Sequence, residues 1–230
     1  MKPCSASRVP DVLRSRSVFL GSAVVAALLA NYWVLEDLIA DRHDFDTAWI
    51  SDLSTRSESS GGIFVALGIV AAVALLIYGG VLMATLGRQG PLLRWGAVAF
   101  VAAAGFTLIA AAAPLSCAEG LEAACDLRDD ALDLVHSVAT GGEIAATVAS
   151  FALLGLGFMR AGRRGLGRVT LAFGTAWLAL TIVTGVSYLS DGVDEIKGAF
   201  QRVDQIIFGI WLVALAVAVA PRPGDGPPPG

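Results

Sequence analysis

Six long apolar stretches, separated by short polar segments, dominate the chain. Each runs near or above the roughly 18 to 20 residues that an α-helix needs to cross about 30 Å of hydrocarbon. None alternates with the period of two expected of a barrel strand, so helices remain as the spanning structure. The pattern predicts an all-α, polytopic six-helix bundle with spans at about 17–38, 62–86, 95–115, 133–159, 168–189 and 202–220.

Composition supports the same class of protein. The 230 residues are 56% hydrophobic and only 16% charged, with a mean hydropathy of +0.71, whereas an ordinary soluble domain has about 25% charged residues. We therefore expect a transmembrane domain at 17–220, between an N-terminal segment (1–16) and a disordered Pro/Gly-rich tail (221–230). The basic N-terminus could be taken for a cleavable signal peptide, but the first apolar stretch continues through NYWVL without a good cleavage pattern.

Basic residues are distributed unevenly between the two ends of the predicted bundle. With the N-terminus inside, eleven of the 16 Lys and Arg residues fall on the inner side and five on the outer side. Cytoplasmic loops hold the excess of Lys and Arg, so both termini are predicted to be cytoplasmic. The basic residues anchor the inner face of the membrane and do not form a nucleic-acid-binding surface, so no nucleic-acid partner is expected. No phosphate-binding Gly loop is present either.

The three cysteines divide between the predicted compartments. Cys117 and Cys125 lie in the outer loop SCAEGLEAACDLRDD, where oxidation is permitted, and Cys4 lies on the reducing side. We predict a disulfide between the outer two, which would contribute about 2 kcal/mol. Two free thiols are the alternative, and a zinc site is less favoured because the spacing is not CxxC.

The fourth span carries ionisable groups where each costs about 3 kcal/mol in lipid. At 100° per residue, Asp133, His136, Thr140 and Glu143 fall on one face, which we expect to turn into the bundle. The opposite face carries small residues four apart, a pattern that lets membrane helices approach closely. This predicted ridge consists of Gly141, Ala145 and Ala149.

Three other spans become polar toward the same predicted outer end. Facing polar stripes on several helices are how bundles build sites, so we predict an outward-facing polar cavity formed mainly by the fourth, fifth and sixth spans. The contributing residues are Trp177, Thr181, Thr184, Tyr188 and Asp191 on the fifth span, Gln201, Arg202, Asp204, Phe208 and Trp211 on the sixth, and Asn31, Glu36 and Asp37 on the first.

Each polar residue also has a structural interpretation. Glu143 could be a protonated carboxyl or an ion-pair member that only fixes packing, and His136 could simply cap a helix. His43, in the charge-rich DRHDFD, is expected to be solvated. No HExxH or EF-hand pattern is present, so no metal ligands are assigned. A Ser-His-Asp set can be drawn from Ser51 or Ser137 with His136 and Asp133, but only geometry can establish it.

Several short motifs occur in a recognisable order. WISDL (49–53) precedes the second span, Pro114 ends the third, His136 lies near the start of the fourth, and GAFQR (198–202) leads into the sixth. This order resembles the bacterial and archaeal membrane family called domain of unknown function 998, over roughly residues 17–220. The resemblance implies six helices and places recurrent positions near the outer surface: Ser51, Pro114, His136, Gln201 and Arg202. It also implies a multi-pass protein of a prokaryotic cell membrane. No reaction can be carried over from it, and the cofactors remain unknown.

Three functional hypotheses follow. The leading one is binding of a membrane lipid or its head group, with His136, Glu143 and Arg202 as polar contacts; Arg202 would contact phosphate or carboxylate. If no ligand binds, the same hypothesis becomes one of scaffolding, in which the polar face holds a membrane-protein partner or a second copy of the chain. The alternatives are an intramembrane hydrolase-like enzyme acting at the outer leaflet, with or without a metal ion, and a proton- or cation-coupled transporter using Glu143. The full set of candidate ligand contacts is Ser51, Asp133, His136, Thr140, Glu143, Thr184, Tyr188, Asp191, Gln201 and Arg202.

Overall fold

The computed structural model describes residues 15–40, 46, 48–118, 125, 130–187 and 196–220. It contains seven α-helices, with no strand in those ranges, and so confirms the all-α class. The helices are α1 (Arg16–Ala30), α2 (Glu36–Ile39), α3 (Gly61–Leu86), α4 (Pro91–Ala112), α5 (Ala131–Arg160), α6 (Arg164–Ser187) and α7 (Lys197–Val219), with short 3₁₀ segments at Tyr32–Leu35 and Ile50–Ser54. Most of the N-terminal segment, the C-terminal tail, His43, Tyr188 and Asp191 lie outside the described residues.

The helices α3 to α7 are each long and apolar enough to cross a membrane. The first predicted span is divided instead: α1 ends at Ala30, and the chain bends by 54° into the segment Tyr32–Ile39. At the bend, the Asn31 amide donates to Ala27 O at 2.9 Å and to Gln205 O of α7 at 3.4 Å. The protein therefore has six spans when this bent pair counts as one.

The six long helices form a closed ring in chain order. Each of α1, α3, α4, α5, α6 and α7 packs against the next, and α7 returns to α1. Aromatic side chains fill its centre: Trp211 is buried, its ring centroid lies 4.3 Å from that of Phe151, and the Tyr78 hydroxyl donates to Leu212 O at 3.3 Å. Burial of such large side chains is the main stabilising contribution of this core.

Close helix packing in α5 depends on glycines other than the predicted ridge. A Cβ atom at Gly141 would meet nothing within 4 Å, and Ala145 is exposed, so the ridge prediction is wrong. Instead, a Cβ at Gly142 would come within 2.8 Å of the Phe106 ring, and one at Gly157 within 2.8 Å of Leu93. The polar stripe of α5 was assigned to the correct face. The close contacts with α4 are made by Gly142 and Gly157, which lie between that polar face and the predicted ridge.

The predicted disulfide is present. Cys117 and Cys125 are bonded, with their Cα atoms 5.7 Å apart. The bridge closes a short loop between α4 and α5.

Candidate functional site

A cavity of about 580 Å³ lies inside the ring of helices. Its lining comes from the bend after α1, from the segment 49–54, and from the parts of α3 to α7 nearest to them, at 68–75, 100–111, 136–147, 177–185 and 201–208. All of these lie in one half of the bundle, next to the connections α2–α3, α4–α5 and α6–α7. The lining thus extends to α3 and α4, beyond the three spans expected from the sequence.

The cavity has a polar and an apolar wall. Small and aromatic side chains of α3, α4, α6 and α7 provide the apolar wall, which includes Leu75, Phe100, Trp177 and Phe208. The polar wall contains Tyr32, Asp52, Thr107, His136, Thr140, Glu143, Thr184, Gln201 and Asp204.

Glu143 is the acidic residue that α5 contributes to the cavity. Its side chain is half-buried because it faces this internal space, and its carboxyl contacts the Thr107 hydroxyl of α4. The Thr107 hydroxyl also donates to Ala103 O within α4, at 3.1 Å. Asp204 of α7 lines the same cavity. The cavity therefore brings together acidic groups from α5 and α7.

Asp204 is the second carboxyl group in the cavity. Its side chain is only 6% exposed, and its Oδ1 has no hydrogen-bond partner among the described residues. Buried carboxyl oxygens without partners are rare because desolvation costs free energy. Asp204 therefore contributes a buried and incompletely hydrogen-bonded carboxyl group to the cavity wall.

His136 is held by the end of α4. Its Nδ1 lies 3.0 Å from both Ala110 O and Ala113 O, two carbonyls near the C-terminus of that helix. Because carbonyls only accept, Nδ1 carries a proton, and helix-terminal carbonyls of this kind need such donors. His136 thus caps α4 directly before Pro114 and also lines the cavity.

Asp133 lies beside the cavity and is fully buried. Its carboxylate accepts hydrogen bonds from Ser116 N at 2.8 Å and Ser116 Oγ at 2.6 Å, and Arg56 lies 3.7 Å away. The Ser137 hydroxyl donates to the Asp133 backbone carbonyl. Since His136 Nδ1 contacts carbonyls of α4, the carboxylate of Asp133 does not orient that ring, and the Ser-His-Asp arrangement is not assembled.

Arg202 does not line the cavity. It is fully buried and forms a bidentate ion pair with Glu36, donating from Nε at 3.0 Å and from the second terminal nitrogen, and its Nη1 donates to Ala48 O at 2.8 Å. The guanidinium also lies over the Trp33 ring, 5.8 Å from its centroid. The carboxylate that Arg202 binds is therefore one of the protein's own, and not the ligand group expected from the sequence.

The two motifs WISDL and GAFQR meet in the structure. Gln201 Oε1 accepts from Ile50 N at 2.6 Å, and Gly198 N donates to Asp46 O at 2.6 Å. Together with Arg202, these contacts fix the segment 48–54 over the end of the bundle. Ser51 reaches the cavity in this way.

The structure brings six of the ten sequence-predicted contacts into one cavity: Ser51, His136, Thr140, Glu143, Thr184 and Gln201. Asp133 and Arg202 are bound elsewhere, and Tyr188 and Asp191 lie outside the described residues. The cavity residues Thr107 and Tyr32 were missed because a single Thr in an apolar span, or a Tyr at a span end, is common without any function. Asp204 was on the predicted polar stripe, but its missing partner is visible only in the structure.

Among the described residues, no three His, Cys, Asp or Glu side chains cluster as ligands for a metal ion.

Comparison with known proteins identifies the family. A family model described as protein of unknown function (DUF998) matches residues 22–218, so the chain belongs to that family and is a membrane protein with several spanning helices. No curated protein and no solved structure matches the chain.

Proposed function

We propose that this DUF998 protein binds a membrane lipid in its cavity and that the lipid enters from the bilayer between α5 and α6. The observation that carries the proposal is the changing separation of these two helices. Toward one end they are in close contact: a Cβ at Gly155 or Gly174 would come within 2.6 Å of Leu171 or Phe151.

At the cavity end the same two helices leave space between them. Gly141 of α5 and Gly185 of α6 both line the cavity, both are exposed, and a Cβ at either would meet nothing within 4 Å. Glycines at these positions keep a gap clear of side chains. A gap of this kind in a spanning bundle faces lipid, which favours a ligand that comes from the membrane.

The dimensions and chemistry of the cavity suit an amphiphilic ligand. A volume of about 580 Å³ is within the usual range for small-molecule sites, about 300–1,000 Å³. It would hold a head group and the first part of a chain, with the remaining chain in the bilayer. Thr140, Thr184 and Gln201 offer neutral polar contacts, Glu143 and Asp204 offer carboxyl groups, and Arg202 positions the segment above them.

Binding is favoured over transport by the packing below the cavity. Past Phe100 and Phe208, the ring of helices is filled by the buried side chains of Tyr78, Phe151 and Trp211. A solute moving toward the other end would have to displace this aromatic cluster. We also infer from the distribution of Lys and Arg that the cavity lies at the outer face of a prokaryotic cell membrane, with both termini inside.

Native mass spectrometry of the protein released from membranes tests this function. We expect a discrete lipid adduct on the wild type that is lost in Gly141→Trp, which fills the gap, and reduced in Glu143→Gln. Gly80→Trp is the matched control, because Gly80 is exposed on α3, also has nothing within 4 Å of a Cβ, and does not line the cavity. Equal adducts on all folded variants would mean that the lipid does not bind in the cavity, and no adduct on the wild type would mean that no lipid is held. Either result would contradict the proposal and favour a scaffolding role.

A further inference from the structure

We propose that the polar group of the ligand is an organic ammonium cation held between Glu143, Asp204 and the aromatic side chains beside them, an assignment that rests on the ligand-binding function proposed above. It names the chemical class that the cavity selects.

The first argument is the sign of the charges. The carboxyl groups of Glu143 and Asp204 come from different helices, α5 and α7, and both line the cavity. Two carboxylates facing one low-dielectric space repel, and a bound cation removes that repulsion. The Asp204 side chain is only 6% exposed and its Oδ1 has no hydrogen-bond partner among the described residues, so the positive charge of a bound ammonium group would offset the cost of burying this carboxyl.

The second argument is where the basic side chains lie. Among the described residues, no Lys or Arg lines the cavity. At this end of the bundle, two guanidinium groups of the described residues are bound to carboxylates of the protein, Arg202 to Glu36 and Arg56 to Asp130. An anionic head group would therefore face carboxyl groups without a guanidinium to bind it.

The third argument is the apolar wall. Phe100, Trp177 and Phe208 line the same cavity. Aromatic faces attract cations through their quadrupoles and are the usual surroundings of quaternary ammonium ligands. Aromatic rings together with carboxylates therefore favour an alkylammonium group over a phosphate.

The test compares four probes on the full chain reconstituted in nanodiscs, with empty nanodiscs as the partitioning blank. Dodecyltrimethylammonium, dodecyl phosphate and dodecyl glucoside share one chain and differ in charge, and tetramethylammonium has the head without the chain. Binding is measured by quenching of tryptophan fluorescence, to which Trp177 in the cavity contributes. The variants are Glu143→Gln and Asp204→Asn, with Asp130→Asn as a control that removes the same charge outside the cavity.

We expect dodecyltrimethylammonium to bind about tenfold more tightly than the other two dodecyl probes, with that preference lost in Glu143→Gln and Asp204→Asn and kept in Asp130→Asn. If the phosphate or the glucoside binds as well or better and Gly141→Trp abolishes it, the ammonium assignment is overturned while lipid binding stands. If no dodecyl probe and no tetramethylammonium binds, both proposals fail. Equal binding of tetramethylammonium and its dodecyl analogue would support the ammonium class and overturn the membrane source.

Discussion

Arg202 and Glu36 form a bidentate ion pair inside the protein although 166 residues separate them in the chain. Arg202 is fully buried and Glu36 is 3% exposed, so neither charge is solvated by water. The pair joins α7 to the bend that follows α1, and the third guanidinium nitrogen holds Ala48 O. This contact therefore sets the position of the segment that covers the cavity.

Removing one member of this ion pair should destabilise the protein strongly. Arg202→Gln leaves the Glu36 carboxylate buried without its partner, and we expect a loss of about 3–5 kcal/mol in the free energy of unfolding. Thermal unfolding in detergent measures it. The double variant with Glu36→Gln should lose less than the sum of the single variants, and Arg94→Gln, an exposed site on α4, is the control. Equal midpoints for Arg202→Gln and Arg94→Gln would contradict the structural role.

Close contact between α4 and α5 should depend on Gly96. A Cβ there would come within 2.9 Å of Leu154 N, which is backbone and cannot move without separating the helices. We expect Gly96→Ala to cost about 1–3 kcal/mol, as other overpacking substitutions do. Gly105→Ala on the same helix is the matched control, because a Cβ there meets nothing within 4 Å. A shift in thermal midpoint no larger than that of Gly105→Ala would mean that the helices are further apart.

The Cys117–Cys125 disulfide should be detectable by thiol counting. Under denaturing conditions, alkylation should modify one of the three cysteines without reductant and all three after reduction. Closing this loop is expected to contribute about 2–3 kcal/mol, so Cys117→Ser with Cys125→Ser should lower the thermal midpoint. Mass spectrometry of the alkylated protein gives the count, and three modified cysteines in the absence of reductant would rule the bridge out.

Thiol labelling of a cavity residue can show which side of the membrane the cavity faces. In a background without native cysteines, Thr140→Cys should react with a small water-soluble thiol reagent applied to intact cells, because this side chain lines the cavity at the predicted outer end. Leu156→Cys, exposed in the other half of α5, should not react. Labelling of Thr140→Cys only in permeabilised cells would reverse the orientation, and no labelling in either condition would mean that water does not reach the cavity.

The ion pair of Asp130 and Arg56 should make stability depend on pH in the acidic range. Arg56 donates to Asp130 at 2.6 Å and, with the Leu132 N–H, lowers the pKa of this carboxyl below its ordinary value. A lowered folded-state pKa gives stability that is present above the ordinary pKa of Asp and is lost as pH falls through the folded value. The effect is small because both side chains are about a third exposed.

Comparing thermal midpoints of wild type and Asp130→Asn between about pH 3 and pH 7 measures this contribution. The wild type should have the higher midpoint at the neutral end, and the difference should shrink toward the acidic end. A difference that grows on acidification would mean that Asp130 is not bound as a carboxylate.

The sequence by itself determined the class of protein, the approximate bounds of the spans and the polar face of the fourth one, because hydropathy and helical period are local properties. It also identified His136, Thr140, Glu143, Thr184, Gln201 and Ser51, since polar groups at the ends of apolar spans are conspicuous. The tertiary structure decided which partner each group has. Arg202 is bound by Glu36 from the far end of the chain, whereas Oδ1 of Asp204 has no hydrogen-bond partner among the described residues.

Close contacts were equally a matter of tertiary structure. Spacing by four made Gly141 and Ala145 look like a packing ridge, yet the approach angle of α4 selects Gly142 and Gly157 and leaves Gly141 beside the cavity. The angle depends on the side chains of both helices together, which no single segment encodes. Local patterns therefore fix which faces are polar, and only the assembled ring of helices decides which of them meet, which are satisfied and where a space remains.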